Sequence, residues 1–479
     1  MINRFKTNRE VKNASWIIGG KVIQMLISLV VGLITARYLG PANYGLINYA
    51  NAYIAFFTSL CNLGINSVIV KNFVDHPEEE GETLGTSILL KFLSSTLSCI
   101  IIFLIVSVAD AGETETILVV MLSSISVIFN IFSTLNYWFQ SRYLAKRTAV
   151  TALISYVSVA VYKIILLVTG KSVRWFAFSM SVDYIAYAII IFLFYKKEGG
   201  PKFSVSLAKA KELLGSSYHF ILSGLMVAVY GYTDKFMLKQ MLDSESVGYY
   251  STATAICSMW TFVLTAIIDS VYPTIMNLHK TDKIGYERKN RQLYAIVFYV
   301  SVAVSIIFTL FGNIIINILY GAKYAGAVGP LKVVTWYTAF SFLGVARNAW
   351  IVCENKQKYL KYMYICAAVI NICLNLCLIP IMGATGAALA SLITEICTSI
   401  ILPLIFKGMR TNAKLILQAI LLKDVFGGQN VEERNQKIID PSQKFFDLLI
   451  DGMASNENIE IECITGIPVS YSCHNRRFW

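Results

Sequence analysis

Long apolar segments alternate with short polar connections along most of this chain. Each apolar run holds roughly 20 or more residues, the length that a helix needs to cross the hydrocarbon core of a bilayer. We number the runs as spans one to twelve, and their approximate limits are residues 14–36, 45–69, 84–108, 116–139, 149–169, 173–195, 214–238, 247–270, 293–319, 327–352, 359–380 and 384–406. The pattern predicts an all-α polytopic membrane protein with about twelve transmembrane helices.

The composition agrees with this class of protein. Hydrophobic residues make up 56% of the 479 residues and charged residues only 15%, whereas a soluble domain carries about 25% charged residues. The net charge is +12, which in a soluble protein would suggest a nucleic-acid partner. Here the basic residues lie in short clusters between apolar runs, so membrane topology explains the charge and no nucleic-acid partner is predicted.

The distribution of Lys and Arg orients the spans. We call the segment after span n connection n. The amino-terminal segment, the even-numbered connections and the segment directly after span twelve, counted with the adjoining span ends, hold 24 Lys and Arg residues, whereas the odd-numbered connections counted in the same way hold six. Basic residues accumulate on the cytoplasmic side of a membrane. Both termini are therefore predicted to be cytoplasmic, and the short outer connections leave no room for a large enzyme domain.

The chain also repeats itself weakly. A shift of 203 residues aligns Leu39 with Leu242, Gly45 with Gly248, Ala50 with Ala253 and Ala52 with Ala255, and a shift of 212 aligns Trp138 with Trp350, Lys146 with Lys358 and Asp183 with Glu395. Both shifts map span n onto span n+6. Because six is even, the two halves share one orientation in the membrane. This predicts two parallel six-helix bundles, at residues 1–200 and 201–410.

Residues 411–479 differ from the rest of the chain. The sequence turns polar after Leu422, and a later FFDLLIDGM stretch has an amphipathic helical pattern followed by a strand-like IEIECITGIPVS stretch. We interpret the segment as a cytoplasmic tail or the remnant of a fusion, with no catalytic role.

Two motifs are more specific than the general pattern. The first is ARYLGPANYG at Ala36–Gly45, where Gly40 and Pro41 are predicted to stop the first span and start the second at once. The second is LIPIMGATGAALASLITE at Leu378–Glu395, where a Pro–Gly break precedes a helix rich in small residues. The first motif resembles the signature of the polysaccharide transporter, or oligosaccharide flippase, family. That family shares a superfamily with the lipid II flippases and the multidrug and toxic compound extrusion (MATE) transporters, and the second motif resembles a late segment of that superfamily.

The resemblance carries definite implications. It implies a MATE-like fold, alternating access by rocking of the two bundles, and a cationic central cavity. The implied activity is a flippase that moves undecaprenyl-diphosphate-linked oligosaccharide repeat units across the bacterial cytoplasmic membrane for O-antigen, capsule or exopolysaccharide synthesis. The implied partners are that lipid-linked oligosaccharide, the membrane lipids and, among proteins, a polymerase and a chain-length regulator. It implies no cofactor.

Ionisable residues inside spans are costly and usually face a cavity or a partner. A diphosphate headgroup needs cations on its path through the membrane, and Arg can bind it through two hydrogen bonds. The candidates for contacts with the diphosphate or sugar are Lys21, Arg37, Lys163, Lys235 and Arg347. Asp183 and Glu395, at matching places in the two halves, are candidates for binding a coupling proton or sodium ion.

Structural interpretations of these charges stay open. Salt bridges between helices could explain the deep charges, and snorkelling or local pairing could explain Lys91, Asp234, Lys235 and Asp269 near span ends. Polar residues that could hydrogen-bond sugar hydroxyls, or could instead bridge helices, are Asn48, Asn51, Asn62, Asn136, Gln140, Tyr230 and Tyr232.

Two other functions compete with the flippase. A MATE-type exporter of cationic drugs would favour intramembrane carboxylates over cations. A polysaccharide polymerase or ligase would need a sizeable outer loop, which the short odd-numbered connections do not provide. The four histidines are scattered, the ten cysteines show no metal-binding spacing, and no nucleotide-binding glycine loop occurs. A soluble enzyme and an ATPase are therefore not predicted.

Overall fold

A computed structural model describes residues 2–423 and 425, with side chains from Gln24 onward except at residues 26, 67, 219, 220, 222, 223 and 226. Regular structure in this part of the chain is helical throughout. The α-helices are α1 (Ile2–Cys61), α2 (Ile69–Asp75), α3 (Glu80–Ala109), α4 (Thr114–Phe129), α5 (Leu135–Ser141), α6 (Ala145–Val168), α7 (Val173–Lys197), α8 (Leu207–Met241), α9 (Ser244–Ser258), α10 (Thr261–Thr281), α11 (Lys283–Leu319), α12 (Val328–Ala346), α13 (Asn348–Cys353), α14 (Lys358–Met382), α15 (Ala384–Ile396), α16 (Leu402–Ile405) and α17 (Arg410–Ile420).

The all-α membrane fold is confirmed. Within the described residues, eight helical segments are long and apolar enough to cross a membrane: Pro77–Ala109, Thr114–Ser141, Ala145–Val168, Val173–Lys197, Thr261–Thr281, Lys283–Leu319, Lys358–Met382 and Ala384–Ile405. Span one and most of span two lie in α1, which is kinked at the predicted breaker: Gly40 has φ 72° and ψ 171°, and Pro41 follows it. A positive φ of this size favours glycine. The predicted tail helix and strand lie outside the described residues.

Most even-numbered spans are interrupted within their length. Span two leaves α1 at Cys61 and continues through Ile65–Ser67 into α2, and span four passes through a 3₁₀ segment at Asn130–Thr134. Span eight is split between α9 and α10, and span ten breaks at Arg347, between α12 and α13. Span twelve contains a π-helical turn at Cys397–Ile401. Such interruptions free backbone groups, which neighbouring helices and side chains must satisfy inside a membrane.

The backbone repeats with the shift that aligns spans four and ten. Tyr143 and Asn355, 212 positions apart, both have positive φ, at 57° and 53°. The amide of Leu144 donates to the Phe139 carbonyl at 2.9 Å, and the amide of Lys356 donates to the Ile351 carbonyl at the same distance. These bonds close equivalent turns after α5 and α13. The repeat in the sequence therefore has a counterpart in the structure.

The odd-numbered connections meet at one end of the molecule, which we call the odd end. The hydroxyl of Tyr324, in connection nine, donates to the Ala36 carbonyl beside connection one at 2.7 Å. Lys239 Nζ, beside connection seven, lies 2.7 Å from Glu113 Oε2 in connection three. The largest apolar core joins the two halves here, with Tyr49 and Ala253 among its buried members.

The even-numbered connections meet at the opposite, even end. Glu80 is buried there and accepts hydrogen bonds from Trp138 Nε1 at 2.9 Å and from Arg142 Nη2 at 2.7 Å. The Arg142 guanidinium also lies 4.5 Å from the centre of the Trp138 ring. Glu80 thus joins the start of α3 to the end of span four.

Replacing Glu80 with alanine should destabilise the protein by about 2 kcal/mol, because it leaves a buried indole N–H unpaired and removes the carboxylate facing Arg142. Glu78→Ala is the matched control, since the Glu78 side chain is 69% exposed. Thermal unfolding in detergent would measure both variants. Equal melting temperatures for the two would contradict this role of Glu80.

Candidate functional site

Three helices of the carboxy-terminal half each carry two polar side chains one helical turn apart. Residues spaced i and i+4 share one face of a helix, so each pair presents a polar patch to its neighbours. The pairs are Tyr230 and Asp234 on α8, Asn371 and Asn375 on α14, and Ser391 and Glu395 on α15. Packing of these helices brings the patches together inside the half.

Asp234 is the centre of this network. Its carboxylate is buried and accepts hydrogen bonds from Ser391 Oγ at 2.5 Å, Asn375 Nδ2 at 2.7 Å and the Tyr250 hydroxyl at 2.5 Å. Within the described residues, the Asn375 side-chain oxygen is buried without a hydrogen-bond partner. Lys235 is half-buried next to Asp234 and interacts with it electrostatically. The network therefore combines a buried carboxylate, an adjacent cation and an unused amide oxygen.

Glu395 forms the next layer of the network. It is buried and accepts hydrogen bonds from the Tyr230 hydroxyl at 2.8 Å and from Thr398 Oγ1 at 3.0 Å. Arg347 is also buried, donates through Nη1 to the Thr398 carbonyl at 2.9 Å and interacts electrostatically with Glu395. In the part of the chain that the structure describes, Arg347 Nε has no partner. Arg347 can therefore donate one further hydrogen bond.

The amino-terminal half holds the other predicted carboxylate. Asp183, on α7, is half-buried and accepts a hydrogen bond from the Ser155 hydroxyl of α6. Lys163, two turns further along α6, is half-buried and interacts electrostatically with Asp183. Asp183 and Glu395, which the sequence repeat aligns, thus each accept a hydroxyl hydrogen bond and lie near a cation of their own half.

Arg37 lies apart from these groups, at the odd end. Its exposed guanidinium donates through Nε to the Leu319 carbonyl at 2.8 Å and through Nη2 to the Ile318 carbonyl. These are the last carbonyls of α11, where a cation also interacts favourably with the helix dipole. The Lys21 side chain lies outside the described residues. The structure therefore groups Lys163, Lys235 and Arg347 each with a carboxylate, and places Arg37 at the contact between the halves.

The odd end also holds a charged cluster that joins the halves. Lys239 Nζ, on α8, lies 2.7 Å and 2.9 Å from the two carboxylate oxygens of Glu113 and 3.8 Å from Asp110 Oδ1. The Tyr49 hydroxyl donates to Asp110 Oδ2 at 2.9 Å, and Gln240 Nε2 donates to the same carboxylate at 3.1 Å. Burial raises the pKa of Asp110, whereas the hydrogen bonds from Lys239 lower the pKa of Glu113.

From the sequence alone, Asp234 is a residue near a span end that could snorkel or pair locally, and Lys239 is one charge of a connection. The sequence does contain a signal for Asp234. Three apolar spans of one half carry polar residues at i and i+4, which is unusual in lipid-facing helices. For Lys239, the partner comes from a different half, and no local pattern indicates it. Among the described residues, no group of three or more His, Cys, Asp or Glu side chains is placed to hold a metal ion.

Comparison with known families now identifies the chain. The family model described as "Polysaccharide biosynthesis protein" matches residues 11–279, more than half of the sequence. The chain belongs to this family. Among curated proteins, it is 22% identical over 399 residues to an Escherichia coli K12 protein named "Putative O-antigen transporter", covering 82% of this chain and 94% of that protein.

Solved structures show the fold of this polysaccharide biosynthesis protein. The lipid II flippase MurJ in an inward closed conformation matches with a TM-score of 0.64 and 15% identity, over 92% of this chain and 96% of that one. A MATE family transporter in an inward-facing conformation matches with a TM-score of 0.65 and 14% identity, over 81% of this chain and 95% of that one. An outward-facing MATE structure matches with a TM-score of 0.54 and 14% identity, over 85% of this chain and 96% of that one.

The family resemblance and the MATE-like fold predicted from the sequence are thus confirmed. The family description connects the chain with polysaccharide biosynthesis, and the curated relative is named as a transporter.

Proposed function

We propose that this protein is a flippase for undecaprenyl-diphosphate-linked oligosaccharide repeat units in the bacterial cytoplasmic membrane, and that it works by alternating access. The headgroup enters between the halves from the cytoplasmic leaflet and leaves toward the outer leaflet, while the polyprenyl tail stays in lipid. The observation that carries the proposal is the match to the protein named "Putative O-antigen transporter" over 82% of this chain and 94% of that protein. Translocation needs both halves, so a match that extends over both halves supports it better than a local motif would.

The charges of the described residues suit such a cargo. A diphosphate cannot cross hydrocarbon unaided, because an unpaired charge in an apolar medium is too costly. Lys163, Lys235 and Arg347 lie within predicted spans, and Arg347 Nε has no partner among the described residues. We propose that these three cations, with Lys21, bind the diphosphate in turn as the halves move, and that Arg37 acts at the odd end, where the headgroup leaves.

The buried carboxylates suit ion coupling. We propose that Asp183 and Glu395 bind the coupling proton or sodium ion, and we add Asp234 to this set. Asp234 is buried beside Asn375, whose side-chain oxygen has no hydrogen-bond partner among the described residues and is available as a ligand for a small cation. Binding of an ion to a carboxylate in either half would neutralise the negative charge beside Lys163, Lys235 or Arg347. This links ion binding to binding of the headgroup by these cations.

The same proposal gives the protein its orientation and partners. The 24-to-6 distribution of Lys and Arg favours the even end in the cytoplasm. A polymerase and a chain-length regulator in the same membrane would then receive the flipped repeat units at the odd end.

Neutralising the intramembrane cations should impair export without preventing membrane insertion. We expect Lys163→Met, Lys235→Met and Arg347→Met each to reduce surface polysaccharide by about tenfold, since loss of one charged hydrogen bond costs roughly 1.5–3 kcal/mol. The measurement is complementation of a strain that lacks its own transporter, with surface polysaccharide and membrane protein level quantified together. Lys323→Met, at an exposed lysine of connection nine, is the control. Full activity of all three cation variants would contradict the role proposed for these charges.

A further inference from the structure

The two halves touch through a contact that is nearly symmetric. A Cβ atom on Gly45 would lie 1.7 Å from the Ser244 carbonyl oxygen, and a Cβ atom on Gly248 would lie 2.1 Å from the Pro41 carbonyl oxygen. The same 203-residue shift that aligns Gly45 with Gly248 also aligns Pro41 with Ser244. The contact is therefore self-complementary, as expected at an axis that relates two similar units. It closes the odd end at the backbones of α1 and α9.

The Lys239 cluster lies beside this contact and also joins the halves. Lys239 and Gln240 belong to α8 of the carboxy-terminal half, whereas Tyr49, Asp110 and Glu113 belong to the amino-terminal half. The Lys239 side chain is 7% exposed and the Asp110 side chain 3%, while the Glu113 side chain is half-exposed. A single ammonium group is thus held between two carboxylates across the boundary.

A second ion pair among the described residues also joins the two halves, but it lies beside the segment that connects them along the chain. Lys209 Nζ lies 2.5 Å from Glu79 at the even end. Lys209 is close along the chain to the segment that connects the halves, and that segment packs on α3. This pair therefore links parts of the chain that are already joined. The Lys239 cluster instead links parts that only tertiary packing holds together.

We propose that Lys239, Glu113 and Asp110 form a latch that holds the odd end shut, and that this latch must break each time the odd end opens. The proposal rests on the alternating-access function given above. When the halves separate, Lys239 loses both carboxylates and becomes hydrated, while Asp110 keeps its hydrogen bond from Tyr49 of the same half. The latch therefore sets the balance between closed and open odd ends without contributing to the fold of either half.

An ion pair at the same end provides a matched control. Arg174 Nε lies 2.8 Å from Glu115 Oε2 and joins α7 to α4, both within the amino-terminal half. Removing it disturbs charge at the odd end but breaks no contact between halves. A latch and a general surface-charge effect thus predict different results for Lys239 and Arg174.

Cysteine labelling from the odd side tests the proposal directly. The reporter is Thr252→Cys, at a buried position one turn along α9 from Gly248, in a protein whose ten native cysteines are replaced with serine. Right-side-out vesicles are treated with a membrane-impermeant maleimide. We expect Lys239→Met and Glu113→Gln each to raise the labelling rate by about fivefold or more, because the open population grows, while Arg174→Met leaves it unchanged.

The outcomes separate the latch from the transport function. Unchanged labelling in both Lys239→Met and Glu113→Gln would overturn the latch, and so would an equal increase in Arg174→Met. Glu113→Gln shows whether misfolding could explain the result, because its half-exposed side chain keeps its shape and the variant should fold normally. Faster labelling in the latch variants supports the latch even if the unsubstituted protein moves no lipid-linked oligosaccharide, a result that would count against the proposed function alone.

Discussion

Gly45→Ala should hold the odd end open and stop transport while both halves stay folded. The added Cβ atom would lie 1.7 Å from the Ser244 carbonyl oxygen and 2.6 Å from the Gly248 amide nitrogen. Both are backbone atoms of α9, so no side-chain rotation relieves the overlap, and the halves must separate instead. Within α1 itself, alanine is favoured over glycine by about 1 kcal/mol. Any loss of function must therefore come from the contact between halves.

The same result is expected at Gly248, the nearly symmetric counterpart of Gly45. Gly248→Ala would place its Cβ atom 2.1 Å from the Pro41 carbonyl oxygen and should have the same phenotype. Gly32→Ala is the control in the same helix, because nothing lies within 4 Å of its added Cβ atom. Labelling of Cys at position 252 and surface polysaccharide would be measured in each variant. Normal transport by Gly45→Ala, with the protein present at its usual level, would show that the odd end does not close through this contact.

Asp234→Asn should abolish ion-driven transport while the protein remains folded. In the native network, one oxygen of Asp234 accepts hydrogen bonds from Ser391 and Tyr250, and the other accepts one from Asn375. Asparagine can keep the first set through its oxygen. Its amide group would face Asn375, which can turn to present its side-chain oxygen by giving up its 3.1 Å hydrogen bond to Asn371 Oδ1. The substitution therefore removes the charge and keeps the size of the side chain, at the cost of one hydrogen bond.

Transport under imposed proton or sodium gradients would measure this effect. We expect a loss of at least about tenfold, equivalent to roughly 1.4 kcal/mol, and no response to either gradient. Asp269→Asn is the matched control, because it makes the same change at an exposed carboxylate of α10. An Asp234→Asn protein that still responds to a gradient at the usual rate would exclude Asp234 from coupling and leave Asp183 and Glu395 as the candidates.

The sequence predicts the uninterrupted spans well, because apolar length alone determines them. Span five, predicted at 149–169, corresponds to Ala145–Val168, and span six, predicted at 173–195, corresponds to Val173–Lys197. The sequence pattern does not predict the breaks inside spans two, four, eight, ten and twelve. Where a helix is interrupted, neighbouring helices can provide hydrogen-bond partners for the freed backbone groups. Average hydropathy therefore does not reveal the interruption.

Individual residues likewise differ in how far the sequence predicts their contacts. The pairing of Gly45 with Gly248 could be found from the repeat, although its meaning as a contact could not. Lys91, near a span end, could be explained by snorkelling, yet it is buried and donates to Asn66 at 2.6 Å and Thr134 at 2.8 Å. The partners of Lys91, Asp234 and Lys239 come from distant helices. Such pairings depend on tertiary packing, which one sequence does not encode in any local pattern.

Reconstituted flipping of a lipid-linked oligosaccharide tests the central claim most directly. Purified protein would be placed in vesicles containing a polyprenyl-diphosphate oligosaccharide with a labelled sugar, and headgroup exposure on the opposite leaflet would be followed with an impermeant glycosidase or lectin. We predict protein-dependent translocation that Arg347→Met slows and that a cationic dye does not inhibit. Transport of the dye without movement of the oligosaccharide would contradict the flippase and favour a MATE-type drug exporter.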